Sequence, residues 1–398
     1  MSTSNTFLTS SVIADEGLMQ LENNMVLGNN VHRKYKKEFV KVGATVSIRK
    51  PVKFTVTDGA TRSNQDITQS NTSIVINKRK HVSYAYSTQD MTLSIDEYSE
   101  QFVKPAMIAL GNKVDEDGCS LYKDLWTRSG TPGTTPATFA ALGSAAQYMD
   151  DAAIPDDGMR KLILDPAARW AIADGLKTLN NQGMASDFVR KGRLGEIANF
   201  DIYGDQNIIK HTVGNHGGTP LVKGASQTGS SLITDGWTNS VTGILLQGDE
   251  FTIAGVYEVN PVSRLSTGRL QHFTVTADAD SGASTGPSTL SIAPSIIATG
   301  AYQTVTALPA DNAAITVIGT ANTAYAQNLA YHKYALALVV CPIELPSSAV
   351  FKARATYNDL SLRVVKAYDV DKDEEVIRHD ILYGWKAIYP ELGSRIWG

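Results

Sequence analysis

The chain contains 398 residues, of which 42% are hydrophobic and 19% charged, and its formal net charge is −4. This length predicts roughly two to three domains with a sizeable core. The slight acidic excess argues against a dedicated nucleic-acid binder, because such proteins carry a strong basic excess. No basic stretch precedes an apolar core at the N-terminus, and no apolar run approaches the roughly 18 residues of a membrane span. We therefore expect a soluble protein that is made and used without export machinery.

The two cysteines, Cys119 and Cys341, lie far apart in apolar or mixed surroundings. This predicts buried free thiols in a reducing compartment.

Residues 1–30 are polar apart from one amphipathic stretch. Asp15 and Glu16 would stand in the first turns of a helix there, where the helix dipole favours negative charge. A short helix without a core of its own indicates an arm that packs on another surface. Its apolar stripe would contain Val12, Ile13, Leu18, Leu21 and Met25.

Residues 43–60 and 71–87 alternate between apolar and polar positions and are rich in β-branched side chains. A period of two with this composition predicts two long strands that pair as a ribbon, joined by the polar loop 58–70. Because a two-stranded ribbon is only marginally stable alone, we expect it to lie on a neighbouring surface.

Basic side chains cluster before the ribbon and within its second strand. A solvated face is the first interpretation, and contact with an acidic partner subunit or loose attraction to phosphates is the alternative. The two clusters are Arg33, Lys34, Lys36, Lys37 and Lys41, and then Lys78, Arg79 and Lys80.

A long helix is the next predicted element. The sequence Ser-Ile-Asp-Glu has the pattern of a capping box with Ser94 at the N-cap. Apolar residues then recur at steps of three and four, so we predict a helix over 94–125, roughly 45 Å long at about 1.5 Å per residue. Pro105, Gly111 and Gly118 are expected to bend or weaken it.

The following segments predict a small α/β unit and a separate β-rich insertion. After the linker 129–136, a helix, a strand, a second helix beginning at Asp165-Pro166 and a strand-turn-strand stretch follow in order. Residues 222–320 contain only ten charged side chains among 99, in a background of Gly, Ser and Thr with short β-branched runs. This texture predicts a small barrel or sandwich. Long strands return after it, which indicates an insertion within a larger domain.

Two known catalytic patterns are missing from the sequence: it has no P-loop of the form GxxxxGK(S/T) and no HExxH motif. The Gly-rich stretch 191–208 contains GxxG in Gly192 and Gly195, but it precedes a strand instead of leading from a strand into a helix. That context is wrong for a dinucleotide site, so we interpret both glycines as turn residues.

Two further patterns resemble metal sites only in part. Residues 369–380 begin like a calcium loop, but the sixth position is Glu374 instead of Gly and the twelfth is Asp380 instead of Glu. A hairpin turn between strands is the better interpretation. His211 and His216 lie in a Gly-rich loop without a third ligand at zinc spacing, so a simple loop pair is expected. A Ser–His–Asp triad stays open, because its members need not be close in sequence.

Taken in order, a loose arm, a ribbon and a long helix without a convergent polar cluster indicate a protein whose partners are copies of itself. This order resembles the α+β major capsid fold of tailed phages, named for a Hong Kong phage. It resembles most the gene-five-type coat proteins of short-tailed phages, which carry an inserted barrel-like β-domain. The segments that carry the resemblance are VSIRKPVKFTVTDGA (46–60), GRLGEIANFDIYGDQNI (192–208), GDEFTIAGVYEVNPVSRLSTGRLQHFTVT (248–276), QNLAYHKYALALVVCPIELP (327–346) and DILYGWKAIYPELGSRI (380–396).

The resemblance implies a domain plan. It consists of an N-terminal arm (1–43), an E-loop ribbon (44–92), the spine helix of a P-domain (93–130), an A-domain in two parts (131–221 and 321–365) around the inserted β-domain (222–320), and the final P-domain strands (366–398). The E-loop would lie across an adjacent subunit, and the A-domain would stand at the centre of pentamers and hexamers.

The resemblance also implies partners: copies of the chain, a scaffolding protein, a portal protein and packaged DNA held by non-specific contact. Assembly would take place in the cytoplasm of the bacterial host and the product would be the virion, with no membrane, cofactor, metal or covalent catalysis. Asp15 and Glu16 correspond to acidic arm residues that contact scaffold in this family, with plain dipole stabilisation as the alternative. The candidate inter-subunit residues of the E-loop are Arg49, Lys50, Lys53, Arg62, Lys78, Arg79 and Lys80.

Because no lysine lies between Asp58 and Gln69, we expect no Lys–Asn cross-link at the ribbon tip. Two other classes of protein stay open. A metal-dependent hydrolase with a β-module would use the loop 369–380 and the pair His211 and His216. A phage decoration or tail protein would share the structural character without forming the shell.

Overall fold

The computed structural model describes residues 10–35, 45–57, 59–60, 62, 64–65, 67, 69–87, 99–176, 194–347, 349, 351–371 and 374–398. Its helical segments are α1 (Ser10–Asn24), a π-helical turn (Ser99–Val103), α2 (Lys104–Cys119), a 3-10 turn (Ser120–Asp124), α3 (Phe139–Asp151), α4 (Pro166–Leu176) and a 3-10 turn (Pro390–Leu392). None of the described helices is both long and apolar enough to cross a bilayer.

The strands fall into four sheets. In chain order they are β1 (Thr45–Arg49), β2 (Asn71–Val75), β3 (Lys78–Ser87), β4 (Thr127–Gly130), β5 (Arg160–Leu164), β6 (Glu196–Ile197), β7 (Phe200–Gly204), β8 (Lys210–Thr212), β9 (Gly218–Val222), β10 (Gly229–Trp237), β11 (Glu250–Val259), β12 (Ser266–Val275), β13 (Ser288–Ile296), β14 (Ile315–Val317), β15 (Ala324–His332), β16 (Leu336–Val340), β17 (Phe351–Tyr357), β18 (Leu360–Asp369), β19 (Glu374–Ala387) and β20 (Gly393–Trp397).

The chain divides into two compact units, and the first contains residues 1–48, 71–118 and 337–386. Its five-stranded sheet has the order β16-β19-β18-β17, with β3 paired to β19. Helix α1 packs on β17 and β18. Four members of the predicted stripe are buried, but Val12 is 50% exposed, because its position on the helix faces away from that sheet. The predicted arm helix therefore exists and packs on a sheet of its own unit.

The predicted ribbon is only partly correct. β1 pairs with β2, whereas β3 pairs antiparallel with β19 along its whole length, from Ser87 opposite Glu374 to Lys78 opposite Tyr383. The prediction that 71–87 pairs as one strand with 43–60 is wrong. The alternating pattern shows that a strand has two different faces, but it does not specify which strand lies beside it.

The predicted long helix is present over its described part, residues 99–124, as a π-helical turn, α2 and a 3-10 turn in succession. Residues 94–98, with the capping box, lie outside the described residues. Pro105 lies where the π-helical turn passes into α2, and a helical irregularity is expected there because proline has no N–H to donate to the preceding turn. Gly118 serves close packing, since a Cβ there would lie 2.6 Å from both Leu27 and Trp385.

The second unit contains residues 49–70, 119–336 and 387–398. Its seven-stranded sheet has the order β4-β20-β15-β5-β7-β6, and β8 pairs with β15. The predicted α/β stretch lies here, with α3 beginning after the N-cap Thr138, whose hydroxyl accepts from the Ala141 N–H at 3.3 Å. Side chains of α3, α4, β5 and β7 form one apolar core that includes Leu142, Leu164 and Phe200.

Six further strands of this unit form a barrel in the segment where the sequence predicts a barrel or sandwich. Their order is β14-β11-β12-β13-β10-β9. The barrel closes where Leu221 of β9 bridges Ala314 next to β14, and the Val222 N–H donates to the Ala313 carbonyl at 3.0 Å. Phe251 and Phe273 stack inside it with ring centroids 5.7 Å apart. The barrel therefore has an apolar core of its own.

Three smaller predictions have clear outcomes. β18 and β19 pair as a hairpin with Asp369 opposite Glu374, as expected instead of a calcium loop. Cys119 and Cys341 are free and buried. His211 contradicts the loop interpretation, because it lies on β8 and is buried.

Candidate assembly surfaces

The outer face of α1 carries the two acidic residues predicted to contact scaffold. Asp15 is exposed and Glu16 is half-buried. They occupy the sixth and seventh positions of α1 instead of its first turn, so the helix dipole contributes little to their role. Val12 and Met19, at 50% and 56% exposure, lie close by on the same helix. The exposed face of α1 thus combines acidic and apolar side chains.

The turn after α1 is held by a carboxylate that sequence reasoning missed. Asp115 of α2 is buried and accepts from three consecutive backbone N–H groups, of Val26 at 2.5 Å, Leu27 at 3.3 Å and Gly28 at 2.9 Å. A buried carboxylate with several backbone donors is well stabilised in its charged form. Asp115 therefore fixes the chain where it leaves the arm helix.

The loop segment Arg49–Ser70 of the second unit exposes apolar side chains. Phe54, Val56 and Ile67 are 60%, 95% and 72% exposed. The Thr55 N–H donates to Oε1 of Gln65 at 2.9 Å, which ties the two sides of the segment together. Large apolar side chains exposed this far on one segment are typical of a surface that another molecule covers.

Four of the seven basic candidates lie on or beside this segment. Arg49, Lys53 and Arg62 are exposed. Lys50 lies 3.7 Å from the Glu391 carboxylate and 5.4 Å from the centre of the Tyr389 ring. The structure therefore places Lys50 against its own unit.

The other three basic candidates lie on β3 in the first unit. Lys78 is 3.4 Å from Asp117, and Arg79 is 3.3 Å from the buried Asp380. Lys80 is half-buried. Lys78 and Arg79 thus have acidic partners in their own chain. Any contact of these three residues with another subunit stays a proposal.

A second missed cluster surrounds His211. Its Nδ1 lies 2.8 Å from the Tyr122 hydroxyl, and its Nε2 lies 2.7 Å from Oδ1 of Asp249. The other carboxylate oxygen of Asp249 accepts from the Gly214 and Leu246 N–H groups. Burial raises the pKa of Tyr122 to about 12. His216 lies elsewhere, 3.2 Å from the Gly319 carbonyl, so the two histidines do not form one site.

Glu250, the residue after Asp249, is the centre of a third cluster. Glu250 lies 2.7 Å from the Arg395 guanidinium, accepts from the Trp397 indole at 3.0 Å and lies 3.7 Å from Arg128. Arg395 also donates to the Gly248 carbonyl and to the Thr274 hydroxyl. Glu250, Arg395 and Trp397 are fully buried. Burial raises the pKa of Glu250, and the two arginines oppose this effect.

Residues 194–195 and 201–204 of the glycine stretch line one side of a cleft of about 430 Å³, to which Arg169 also contributes. Gly195 has φ +65°, as its interpretation as a turn residue requires; Gly192 lies outside the described residues. The cleft has an ion pair between Lys161 and Asp201 beside it. Within the described residues, no three His, Cys, Asp or Glu side chains converge as metal ligands would.

The polar clusters around Asp115, His211 and Glu250 are internal contacts of the fold, whereas large apolar side chains of the loop segment Arg49–Ser70 face outward. The fold is that of phage capsid proteins. A solved structure from Mycobacterium phage Che8 has a TM-score of 0.50 and 14% identity, covering 94% of this chain and 90% of that one. The capsid structure of the Cyanophage P-SCSP1u has a TM-score of 0.49 and 11% identity, covering 94% of this chain and 88% of that one.

The family model described as "P22 coat protein - gene protein 5" matches residues 1–398, so the chain belongs to the P22 coat protein family. A curated relative, the major capsid protein of Acyrthosiphon pisum secondary endosymbiont phage 1, is 25% identical over 288 residues, which is 68% of this chain and 67% of the relative. The chain is thus the major capsid protein of a phage, a structural protein of the virion that self-assembles into a multimeric shell. The family resemblance, the capsid fold and this function are confirmed, and the hydrolase, decoration and tail alternatives are not favoured.

Proposed function

We propose that this coat protein forms an icosahedral shell around double-stranded phage DNA by way of a scaffolded procapsid, which is built in the host cytoplasm and expands during packaging. Copies of the chain would form pentamers and hexamers. A portal protein and non-specific contact with DNA would complete its partners. The coat protein itself would carry out no catalysis and need no cofactor.

The observation that carries the proposal is the exposed apolar surface of the loop segment Arg49–Ser70. Burial of apolar side chains is the main favourable term in protein association. Phe54 and Val56 are exposed to a degree that is costly unless another molecule covers them. In the proposed shell this segment is the tip of the E-loop and lies across an adjacent subunit. Arg49, Lys53 and Arg62 would meet acidic groups there.

The remaining domain assignments follow the same plan as proposals. Helix α2 would be the spine of the P-domain, residues 131–221 and 321–365 the A-domain at the local symmetry axes, and residues 222–320 an insertion outside the basic capsid fold. Many weak contacts repeated by symmetry would then stabilise the shell.

The arm would receive the scaffolding protein. The acidic and apolar face of α1 suits a basic amphipathic helix, because Asp15 and Glu16 attract positive charge while Val12 and Met19 offer apolar contact. Since the contact would include the exposed charge of Asp15, its affinity should fall as the salt concentration rises.

The experiment combines electron microscopy of negatively stained particles with two double charge variants. Coat protein co-expressed with its scaffolding protein should form closed shells, and Asp15→Asn with Glu16→Gln should reduce their yield and the bound scaffold. The matched control is Asp371→Asn with Glu116→Gln, which removes the same two charges from exposed positions of the first unit outside α1. Monomers under every condition would contradict the shell itself. Equal shells from all variants would contradict only the scaffold site.

A further inference from the structure

We propose that the C-terminal strand is a conformational latch: Arg395 and Trp397 hold the barrel in one orientation on the seven-stranded sheet by clasping Glu250. We call these three residues the C-terminal latch. The proposal concerns the second unit by itself and does not depend on how shells assemble.

The first step is that the barrel and the sheet have separate apolar cores. The barrel core contains Phe251, Phe273 and Leu290. The core between the sheet and its helices contains Leu142, Leu164 and Phe200. Neither core shares a buried member with the other, so each body keeps its core when the joint between them opens.

The second step is that polar contacts join the two bodies, beside one small apolar cluster in which Val317 of β14 packs against Tyr325 and Trp397. The Arg395 guanidinium reaches the Glu250 carboxylate at 2.7 Å, the Gly248 carbonyl at 2.8 Å and the Thr274 hydroxyl at 3.0 Å. At the far side of the joint Arg269 lies 3.2 Å from Asp151. Polar joints between domains are typical of bodies that move relative to each other.

The third step is that the latch residues are fully buried. Removing one partner of a buried ion pair leaves the other charge without compensation, which is strongly unfavourable. The Trp397 indole N–H donates a hydrogen bond to the Glu250 carboxylate at 3.0 Å, and this bond fixes the direction in which the carboxylate points. Its ring packs with Val213 and Tyr325, beside the chain that enters the barrel. Glu250 is therefore the residue on which both C-terminal side chains converge.

The fourth step is that the chain crosses between the two bodies at glycines. It enters the barrel at Gly218, with φ +88°, and leaves it at Gly319, with φ +92°. Glycine tolerates such backbone conformations, and a few residues at the ends of elements are enough to form a hinge. An unlatched barrel would turn about these two crossings.

The test uses hydrogen–deuterium exchange of the full chain in four variants: two single latch variants, their combination and a control. Glu250→Gln keeps the shape and the acceptor for Trp397 but removes the charge, and Arg395→Met removes the partner. The control Arg264→Met changes a partly exposed barrel arginine that donates to the Gly300 carbonyl.

In both latch variants, exchange of the crossing peptides 211–217 and 318–323 should rise about tenfold or more, while strands β10 and β13 keep their wild-type protection. The double variant should exchange no faster than the faster single variant, because the two changes break one interaction. The proposal is overturned if the crossings stay within about twofold of wild type in both variants. It is also overturned if β10 and β13 lose protection together with the crossings, since the barrel would then unfold instead of turning.

Discussion

Two histidines, His379 and His272, lie in surroundings that oppose a positive charge. His379 of β19 is fully buried, and burial lowers its pKa to about 4, although the neighbouring Asp380 acts in the opposite direction. Its Nε2 lies 3.2 Å from the Tyr84 hydroxyl. Burial, together with nearby arginines, lowers the pKa of His272 to about 3. Both side chains are neutral in the folded state at neutral pH.

The first prediction is that acid weakens the fold through these groups. An unfolded histidine takes up a proton below its usual pKa of about 6.5, whereas folded His379 does so only near 4, so stability is lost as pH falls through this window. Each such histidine should contribute about 1.4 kcal/mol per pH unit inside the window. Urea unfolding at pH 7, 6 and 5 should show a shallower pH dependence for His379→Gln than for wild type. His81→Gln, at an exposed position of β3, should keep the wild-type slope; equal slopes for all three proteins would refute the prediction.

Sequence patterns predicted the roles of only a few individual residues. The free cysteines and the hairpin at 369–374 could be assigned from the sequence, because each depends on its immediate surroundings along the chain. Asp115, Glu250 and Arg395 could not, because each acts on groups far along the chain. Their only signal in the sequence is a charged residue among apolar neighbours, as in the pair Asp249 and Glu250 at the start of β11. That signal marks a buried charge but not its partner.

At the scale of elements, helix α2 contains two glycines whose surroundings in the first unit differ. Gly118 lies against Leu27 and Trp385, and the Trp385 indole donates to the Val114 carbonyl at 3.0 Å. Gly111 has only ordinary space around it, since a Cβ there would lie 3.5 Å from Asn24. The two positions look equivalent in the sequence, yet they predict opposite responses to alanine.

The second prediction uses this contrast. Gly118→Ala should lower the free energy of unfolding by about 2 kcal/mol, because the added methyl group collides with two packed side chains. Gly111→Ala should raise it by up to about 1 kcal/mol, because alanine favours the helix and finds room. Urea unfolding of both variants measures the difference. If both variants shift stability in the same direction, the packing described around Gly118 is wrong.

The third prediction concerns the docking of the arm helix. Asp115→Ala removes the acceptor of three backbone N–H groups and should lower the free energy of unfolding by about 3 kcal/mol. The matched control is Glu116→Ala, the next residue of α2, which makes an exposed ion pair with Lys113 and should cost less than about 0.5 kcal/mol. Urea unfolding checks both values. Similar losses at the two positions would show that Asp115 does not hold the turn.

The periodicity of the sequence predicted which segments are helices and which are strands, but it did not predict which strands pair. The alternation of 71–87 correctly predicted extended chain, but β3 finds its partner in β19, almost 300 residues later. Low charge and frequent turn signals predicted the β-rich character of 222–320, since short strands leave a local signature. The closing contact between β9 and β14 leaves none, because it depends on the whole barrel. The local sequence therefore determines the type of each element, whereas the fold as a whole determines which elements lie beside each other.

At the scale of the whole molecule, we expect the residues that stabilise the fold to differ from those that drive assembly of the shell. The fold is maintained by buried cores and internal ion pairs, whereas the loop segment Arg49–Ser70 exposes Phe54, Val56 and Ile67. Side chains that are exposed in the single chain contribute little to its folding. If another subunit covers them in the shell, they contribute to assembly instead.

The last prediction tests this separation with the most exposed of these residues. Val56→Ser should change the free energy of unfolding by less than about 0.5 kcal/mol, because the side chain is 95% exposed. It should weaken assembly, since each copy loses about 1.5 kcal/mol or more of apolar burial and the loss is repeated at every contact of a symmetric shell. Sedimentation of assembled particles against free subunits measures this.

The matched control is Val262→Ser, which makes the same change at a 76% exposed position of the barrel. Wild-type yields of shells from this control, together with reduced yields from Val56→Ser, would locate the contact on the loop segment. Normal shells from Val56→Ser would show that the exposed apolar surface of this segment does not bind a neighbouring subunit. A loss of folding in Val56→Ser would instead show that the segment supports its own chain, and the separation of assembly from stability would then be wrong.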